Sequence, residues 1–589
     1  MTTPISASGA GGAFLVFDFA DAAGRPRRLA FARPRRVLAA NTVAEVLPVL
    51  AEARRAAELG CYAAGYVAYE AAPAFDPALV VRADPAMPLA WFAVFDEPLG
   101  GDQLSRPRGD FSLSEWTPTV SRADYGRNVA AAREAIARGD TYQINYTFRL
   151  RSRFVGDSFA LYERLLGAQR ASYCAYLDTG CHKILSASPE LFFRFDGREV
   201  VTRPMKGTAR RGLWAEDDDA RSLALSTSEK NRAENVMIVD LLRNDLGRVA
   251  ETGSVQVSDL CRVERYPTVF QLTSTVSARA PQGTRLEDIF RAAFPSGSVT
   301  GAPKVSTTRL IAALEDSPRN IYCGGVGLIA PGGEAVFNVA IRTVLIDAET
   351  GEAEYGVGGG ITWDSDAGEE YEEALTKASV LTEERADFCL LETMRLVGGE
   401  YARLERHVRR VLSSAHYFDY PASEDRLLRA LREHADLHPR DARRARLLLP
   451  SDGDARVESE PLDAWPAGPV RVSLALTPVA RADRFLYHKT TRRDVYEARR
   501  AEQPSAFDVL LWNEDGEVTE FTLGNVVVEL GGTLYTPPRE SGLLAGTMRA
   551  EMIERGEVAE RVITVAELAG ATRLWLVNSV RGRVAVKLD

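Results

Sequence analysis

Histidine is scarce in this chain. Only six occur in 589 residues, and of these only His182 precedes residue 400. Chemistry in the first two-thirds must therefore run on something other than a histidine network. The six cysteines (Cys61, Cys174, Cys181, Cys261, Cys323, Cys389) include no Cys-x-x-Cys pair, so neither a disulfide framework nor a zinc site follows from them. No stretch reaches the ~18 apolar residues of a membrane span, and none is expected. Met1 to Ala13 lack a basic region followed by an apolar one, so no signal peptide is expected and the cytoplasm is the expected compartment. Positive charge is in deficit: 72 Lys and Arg against 82 Asp and Glu give a net charge of −10. That gives no encouragement to nucleic-acid binding, which draws on a surplus of cations. Basic clusters at Arg406–Arg410 and Arg440–Arg446 have helical spacing and acidic neighbours, and read as solvated faces.

What is present fits a soluble globular protein of two to four domains, with 46% hydrophobic and 26% charged residues. Apolar runs at Phe14–Phe19 and Leu89–Phe95 flank a helical stretch, Val43–Leu59, which suggests strands under a covering helix. Ser121 can cap a helix carrying Tyr125, Val129 and Ile136 on one face. The alternation of Thr141–Thr147 marks a strand with Gln143 and Asn145 on one side, read as hydrogen-bonding scaffold. Ile321–Gly327 and Ala335–Ile346 read as two apolar strands, the second with Arg342 inside it. A buried arginine needs a partner, either a structural acid or an anionic ligand.

Four segments carry groups suited to chemistry. Lys206 lies between Pro204 and a Gly207-Thr208 turn. Glu190 follows Ser188-Pro189 at a strand end, where proline imposes extended geometry. Glu234 opens an amphipathic helix running to Arg248, at the edge of its apolar stripe, where a carboxylate calls for a cation or a first-turn helix dipole. Glu370, Glu373 and Lys377 fall on one helix face, after a flexible Gly356–Gly360 run. The loop Pro295–Lys304 opens a further helix, with Pro303 suited to its first position and free amides able to bind an anion.

Over roughly residues 10 to 384 these segments resemble the chorismate-utilising family of anthranilate, aminodeoxychorismate, isochorismate and salicylate synthases. The resemblance implies an α+β domain, a β-sandwich with outer helices, spanning residues 1–384. It implies that the dicarboxylate chorismate is held on Mg²⁺, with Glu234 and Glu373 as ligands and Glu370 close by. Ser298, Tyr322, Arg342, Lys377 and the amides of Gly358 and Gly360 match positions that hold the substrate carboxylates. Glu190 matches the family's general acid. Lys206 selects the branch: anthranilate synthases carry alanine there, aminodeoxychorismate synthases a lysine that attacks ring C2 before ammonia adds at C4. Gln271 stands where many relatives have a catalytic histidine; it can position a group but cannot move a proton. No Gly-x-Cys-x-Gly elbow occurs, so a separate glutamine amidotransferase is the implied ammonia-supplying partner.

From Phe388 onward the chain resembles the fold-type IV pyridoxal-phosphate enzymes, in particular 4-amino-4-deoxychorismate lyase. This implies a second, α/β domain over residues 385–589. Arg410 matches the arginine that holds the cofactor phosphate, Lys489 the lysine that binds the cofactor, Glu520 the partner of its ring nitrogen, and Thr547 a second phosphate contact at a helix start. Together the two resemblances imply a bifunctional route from chorismate to 4-aminobenzoate, the folate precursor. Two alternatives are an anthranilate- or salicylate-type synthase, and a C-terminal half that is a transaminase or a dimerisation module. A homodimer through the C-terminal domain is possible on this reading.

Overall fold

The computed structural model describes residues 12–21, 24–100, 109–381, 388–464 and 469–589. The chain divides into two compact units, one of Met1–Arg210 with Ser222–Arg385, the other of Arg211–Arg221 with Ala386–Asp589. The expected boundary at 384 and 385 lies outside the described residues. Segment 211–221 belongs to the second unit although it sits within the sequence of the first. Among the described residues no helix is long and apolar enough to cross a membrane.

The first unit is a sandwich of two antiparallel ten-stranded sheets. One sheet runs through Gln143–Gly156, Glu352–Ile361, Thr343–Asp347, His182–Ser188, Tyr173–Asp178 and Phe14–Ala20 in spatial order. The other runs through Met205–Arg210, Val269–Arg279, Glu199–Arg203, Leu191–Phe195, Ala335–Val339, Gly325–Ile329 and Tyr62–Val67. The two-residue period of a strand sets the layers. Leu15, Phe17 and Phe19 enter a core shared by both sheets, together with Tyr66, Ile184 and Val336. Val16, on the opposite face, joins Val129, Leu161 and Ala374 under the helices of the first sheet. Helix Val43–Glu58 and helix Glu229–Gly247 cover the second sheet through Leu50, Ile238 and Leu242. Each such side chain contributes about 1.5–3 kcal/mol on full burial.

The second unit contains a four-stranded antiparallel sheet built on Leu390–Val397 and Ala442–Leu449, covered by helices Leu404–Phe418 and Glu424–Asp436. Beside it lies an eight-stranded sheet. In it Val518–Phe521 pairs with both Asp508–Trp512 and Gly524–Leu530, which closes part of the sheet into a barrel. Val470–Leu474 runs parallel to both of its neighbours.

Several expectations need correction. Ile321–Gly327 is not one strand: Ile321–Gly324 is a turn, and the strand is Gly325–Ile329. Ala335–Ile346 is two strands, Ala335–Val339 in one sheet and Thr343–Asp347 in the other. Arg342 lies at the crossing between them with φ +49°. Alternation within an apolar run cannot reveal that the chain changes sheets. The helix carrying Glu234 starts at Glu229, capped by Ser228, so Glu234 is in its second turn and outside first-turn dipole stabilisation. Pro303 caps the helix Lys304–Leu314 rather than opening it. Arg443, Arg444 and Arg446 lie on a strand, not a helix face.

Candidate active sites

The first unit encloses a cavity of about 480 Å³. All twelve residues assigned to the first site by sequence line it. Lys206 reaches it from a β-bulge: the pairing of Met205–Arg210 with Val269–Arg279 slips between Met205 and Thr208, and Gly207 has φ +85°. The slip turns Lys206 out of strict alternation, and its Nζ lies 3.5 Å from Glu234 Oε1 with the side chain 12% exposed. Gln143 Nε2 donates to the same oxygen at 2.7 Å. These three groups converge over Gly360. A Cβ there would lie 2.1 Å from Gln143 Nε2, 2.8 Å from Glu234 Oε1 and 3.1 Å from Lys206 Nζ. A Cβ on Gly359, directed to the other face, would meet Glu370 Oε2 at 3.2 Å and Lys377 Nζ at 3.6 Å. A strand bare of side chains at this point lets both groups of charges share one cavity.

Lys377 Nζ donates to Gly358 O at 2.9 Å and pairs with Glu373 Oε1 at 2.9 Å. Lys377 holds the Glu373 carboxyl below its usual range, whereas burial raises that of Glu370, which accepts from Ser365 Oγ at 2.8 Å. Three carboxylates from two helices offer the hard oxygen donors that Mg²⁺ takes, around a cradle that only glycine leaves open. They do not close on a single point: among the described residues no three such groups form a ready metal cluster. The donor set fits the ion, with Lys206 and Lys377 as its competitors for Glu234 and Glu373.

Glu190 is buried, and burial pushes its carboxyl up to about 7, against the opposing pull of Ser298 and Lys206. Ser298 Oγ donates to Glu190 Oε1 at 2.5 Å, so the loop 295–304 contributes this hydroxyl; Lys304 at the following helix start is tied to Asp245 at 2.9 Å. Arg342 is 8% exposed, its guanidinium disfavoured by burial, and no carboxylate pairs with it among the described residues. Of the two partners expected for Arg342, the structural acid is not found among the described residues. Tyr322 is buried in the turn before Gly325, with the Arg149 guanidinium 5.3 Å from its ring centre. Gln271 donates weakly to Thr208 Oγ1 at 3.4 Å, and its buried Oε1 has no partner.

The second unit holds a cavity of about 680 Å³, lined by Arg410, Lys489, Glu520 and Thr547. Burial, with Arg493 and Arg410 nearby, lowers the Lys489 amine to about 7. Burial raises the Glu520 carboxyl to about 7 while Tyr496 Oη, Leu544 N and Asn525 Nδ2 donate to it at 2.8, 3.2 and 3.2 Å. Glu392, the one acid in the strand Leu390–Val397, takes the fork of Arg410 at 2.8 and 2.6 Å and binds His407 Nδ1 at 2.6 Å. Burial opposes its ionisation, but Arg410 and His407 hold it down at about 2. His407 Nε2 faces Ser579 Oγ at 2.7 Å and Thr547 Oγ1 at 3.3 Å, at the start of helix Thr547–Glu554. An amine, a buried acid and a set of hydroxyl and amide donors at a helix start fit pyridoxal phosphate.

Residues 101–383 match the family described as chorismate binding enzyme, and residues 389–588 the family described as amino-transferase class IV. Over 278 residues it is 41% identical to aminodeoxychorismate synthase component 1 of Escherichia coli (strain K12), covering 47% of this chain and 61% of that protein. It is 39% identical over 273 residues to anthranilate synthase component 1 of Streptomyces coelicolor, covering 46% of this chain and 53% of that one. The chain thus spans about three-fifths or less of the curated relatives it matches. Among solved structures it resembles anthranilate synthase component I from Streptococcus pneumoniae, with 25% identity, a TM-score of 0.51, and coverage of 65% of this chain and 91% of that one.

The identities to the two kinds of relative, 41% and 39%, do not separate them. Sequence reasoning read Gln143 as scaffold without its partner Glu234, and gave no role to His407, Glu392, Ser579 or Tyr496 in the second unit. One signal was present: a lone glutamate inside the apolar run Leu390–Met394 calls for a buried cation. The basic clusters read as solvated faces also supply Arg410, Arg444 and Arg446 to the second cavity.

Proposed function

We propose that the protein makes 4-aminobenzoate from chorismate in two steps, one in each unit. The buried, carboxylate-free Arg342 and the Lys206 amine, lining one cavity, carry this reading, because they supply an anion receptor and a nucleophile together. In the first step Arg342 and Tyr322 hold the substrate carboxylates. The Lys206 amine, uncharged when it attacks, bonds to ring C2 as the C4 hydroxyl leaves as water with a proton from Glu190. A carboxyl near 7 is suited to giving that proton at neutral pH. Ammonia then bonds to C4 and the C2–Nζ bond breaks, freeing Lys206. Glu234, Glu370 and Glu373 would hold Mg²⁺, which would neutralise charge on a substrate carboxylate. A glutamine amidotransferase is the proposed source of ammonia.

In the second step Lys489, with an amine near 7, takes the proton from C4 of the aminated substrate. The bond to the enolpyruvyl oxygen breaks, pyruvate leaves and the ring becomes aromatic. Glu520 would face the cofactor ring nitrogen and favour its protonated form, and Arg410, His407, Thr547 and Ser579, which line the same cavity, would hold the phosphate. Pyridoxal phosphate, when bound, supplies the sink for the electrons released at C4.

Product analysis tests the reading. Chorismate, Mg²⁺ and ammonium are expected to give aminodeoxychorismate without added pyridoxal phosphate, and 4-aminobenzoate with pyruvate when it is added. Anthranilate or salicylate as the product would refute it.

A further inference from the structure

Segment 211–221 lies in the sequence of the chorismate-binding half, beginning five residues after Lys206, yet it folds with the other unit. Its attachment is specific. Arg211 forks onto Asp218 at 2.7 and 2.8 Å, with both side chains buried, and donates to Tyr417 O at 2.7 Å. Its guanidinium lies 4.7 Å from the centre of the Tyr417 ring, and Tyr417 Oη donates back to Gly212 O at 2.7 Å. Trp214 packs on Tyr487 with ring centres 5.1 Å apart, and Arg539 lies over its indole at 4.9 Å while pairing with Glu216 at 3.0 Å.

Leu213 and Trp214 thereby complete a small apolar core made of Leu486, Tyr487, Tyr496, Val509 and Leu511. Two of its members lead directly to the second cavity. Tyr487 is two residues before Lys489, and Tyr496 Oη donates to Glu520 at 2.8 Å. His488, the intervening residue, is buried between the rings of Tyr417 and Phe418, at 4.4 and 4.8 Å. The same Tyr417 carries Arg211. No other core of the unit contains both the approach to Lys489 and the support of Glu520 among its described members.

We infer that residues 211–221 are a clasp that the chorismate-binding half lends to the pyridoxal-phosphate half, with Trp214 and Arg211 acting as positioning residues for Lys489 and Glu520 through Tyr487 and Tyr496. This rests on the reading of Lys489 as the cofactor lysine. The clasp touches neither cofactor nor substrate. It fixes the backbone from which the amine projects and the phenol that orients the acid.

The test uses the full chain with Trp214→Ala and, as the conservative rescue, Trp214→Phe. Hydrogen–deuterium exchange without cofactor reads the packing: peptides covering 484–492 and 508–521 exchange at least about tenfold faster in Trp214→Ala and near the wild-type rate in Trp214→Phe, while 143–156 is unchanged. Titration of the visible band after adding pyridoxal phosphate reads the positioning: its pH midpoint moves by at least about half a unit in Trp214→Ala and returns in Trp214→Phe. Unchanged exchange overturns the clasp. Faster exchange with an unmoved midpoint overturns the positioning of Lys489. If the wild-type chain takes up no pyridoxal phosphate while exchange still responds to Trp214→Ala, the cofactor reading fails and the clasp stands.

Discussion

The two cavities carry opposite charge surpluses. Five carboxylates line the first, Glu190, Glu234, Asp364, Glu370 and Glu373, against Lys206, Lys230, Arg342 and Lys377. In the second, Glu520 stands alone against Arg410, Arg444, Arg446, Lys489, Arg493, Arg500 and Arg581. A carboxylate-rich pocket around one unpaired arginine can take a divalent cation and an anion together. An arginine-rich pocket suits a phosphate and further carboxylates, with no metal in the balance. Each cavity contains a lysine, so the contrast lies in what surrounds the amine and not in the amine itself.

The sharpest way to break this comparison is to remove each lysine. Lys206→Ala is expected to lower ammonia-dependent amination by roughly 10³-fold or more, as loss of a nucleophile does, with pyruvate release from supplied aminodeoxychorismate unchanged. Lys489→Ala is expected to do the reverse. Separate assays of the two half-reactions check this, and an equal loss in both would show that the sites do not act independently.

The pH profiles should diverge next. The Glu190 carboxyl is raised to about 7, so its acid form is present below that pH and is lost above it. Amination is expected to fall about tenfold per pH unit on the alkaline side, and Glu190→Gln is expected to remove that limb along with most of the activity. The Lys489 amine is lowered to about 7, so its free-base form appears above that pH. Pyruvate release is expected to rise through pH 7, where amination begins to decline. Parallel profiles would mean that at least one of the two groups does not act as assigned.

Arg342→Gln is expected to raise the KM for chorismate by about 10- to 100-fold, the worth of roughly 1.5–3 kcal/mol for a hydrogen-bonded charge, with a smaller change in kcat. The smallest effect expected is that of Gln271→His. A missing proton-transfer group would be worth roughly 10²–10⁴ in rate, whereas less than about a tenfold change is expected if amination does not use one at this position. Initial rates of amination decide the matter.

How much of this was legible in the sequence follows from what a sequence records. Local chemistry was readable: the Ser121 cap, the Gly-rich strand, the Glu370–Lys377 helix face and the lysines at 206 and 489 all sit where motif and periodicity put them. Partnerships across long separations were not. Gln143 and Glu234 meet over 91 residues of chain, and Glu392 is joined to Ser579 only through His407. Arg342 looked like part of a strand because both flanking runs are apolar; only the change of sheet at that point turns it into the cavity. The bulge at Lys206 has the same character, since a slip in pairing depends on the partner strand.

The clasp also sets an order of events during synthesis. Trp214 leaves the ribosome long before Tyr487 and Arg539 have been made, an interval on the order of tens of seconds at roughly 5–20 residues per second. For that time the indole is without the Tyr487 ring and the Arg539 guanidinium on which it packs. The second half therefore does not simply fold after the first; its arrival completes a stretch of chain translated nearly three hundred residues earlier.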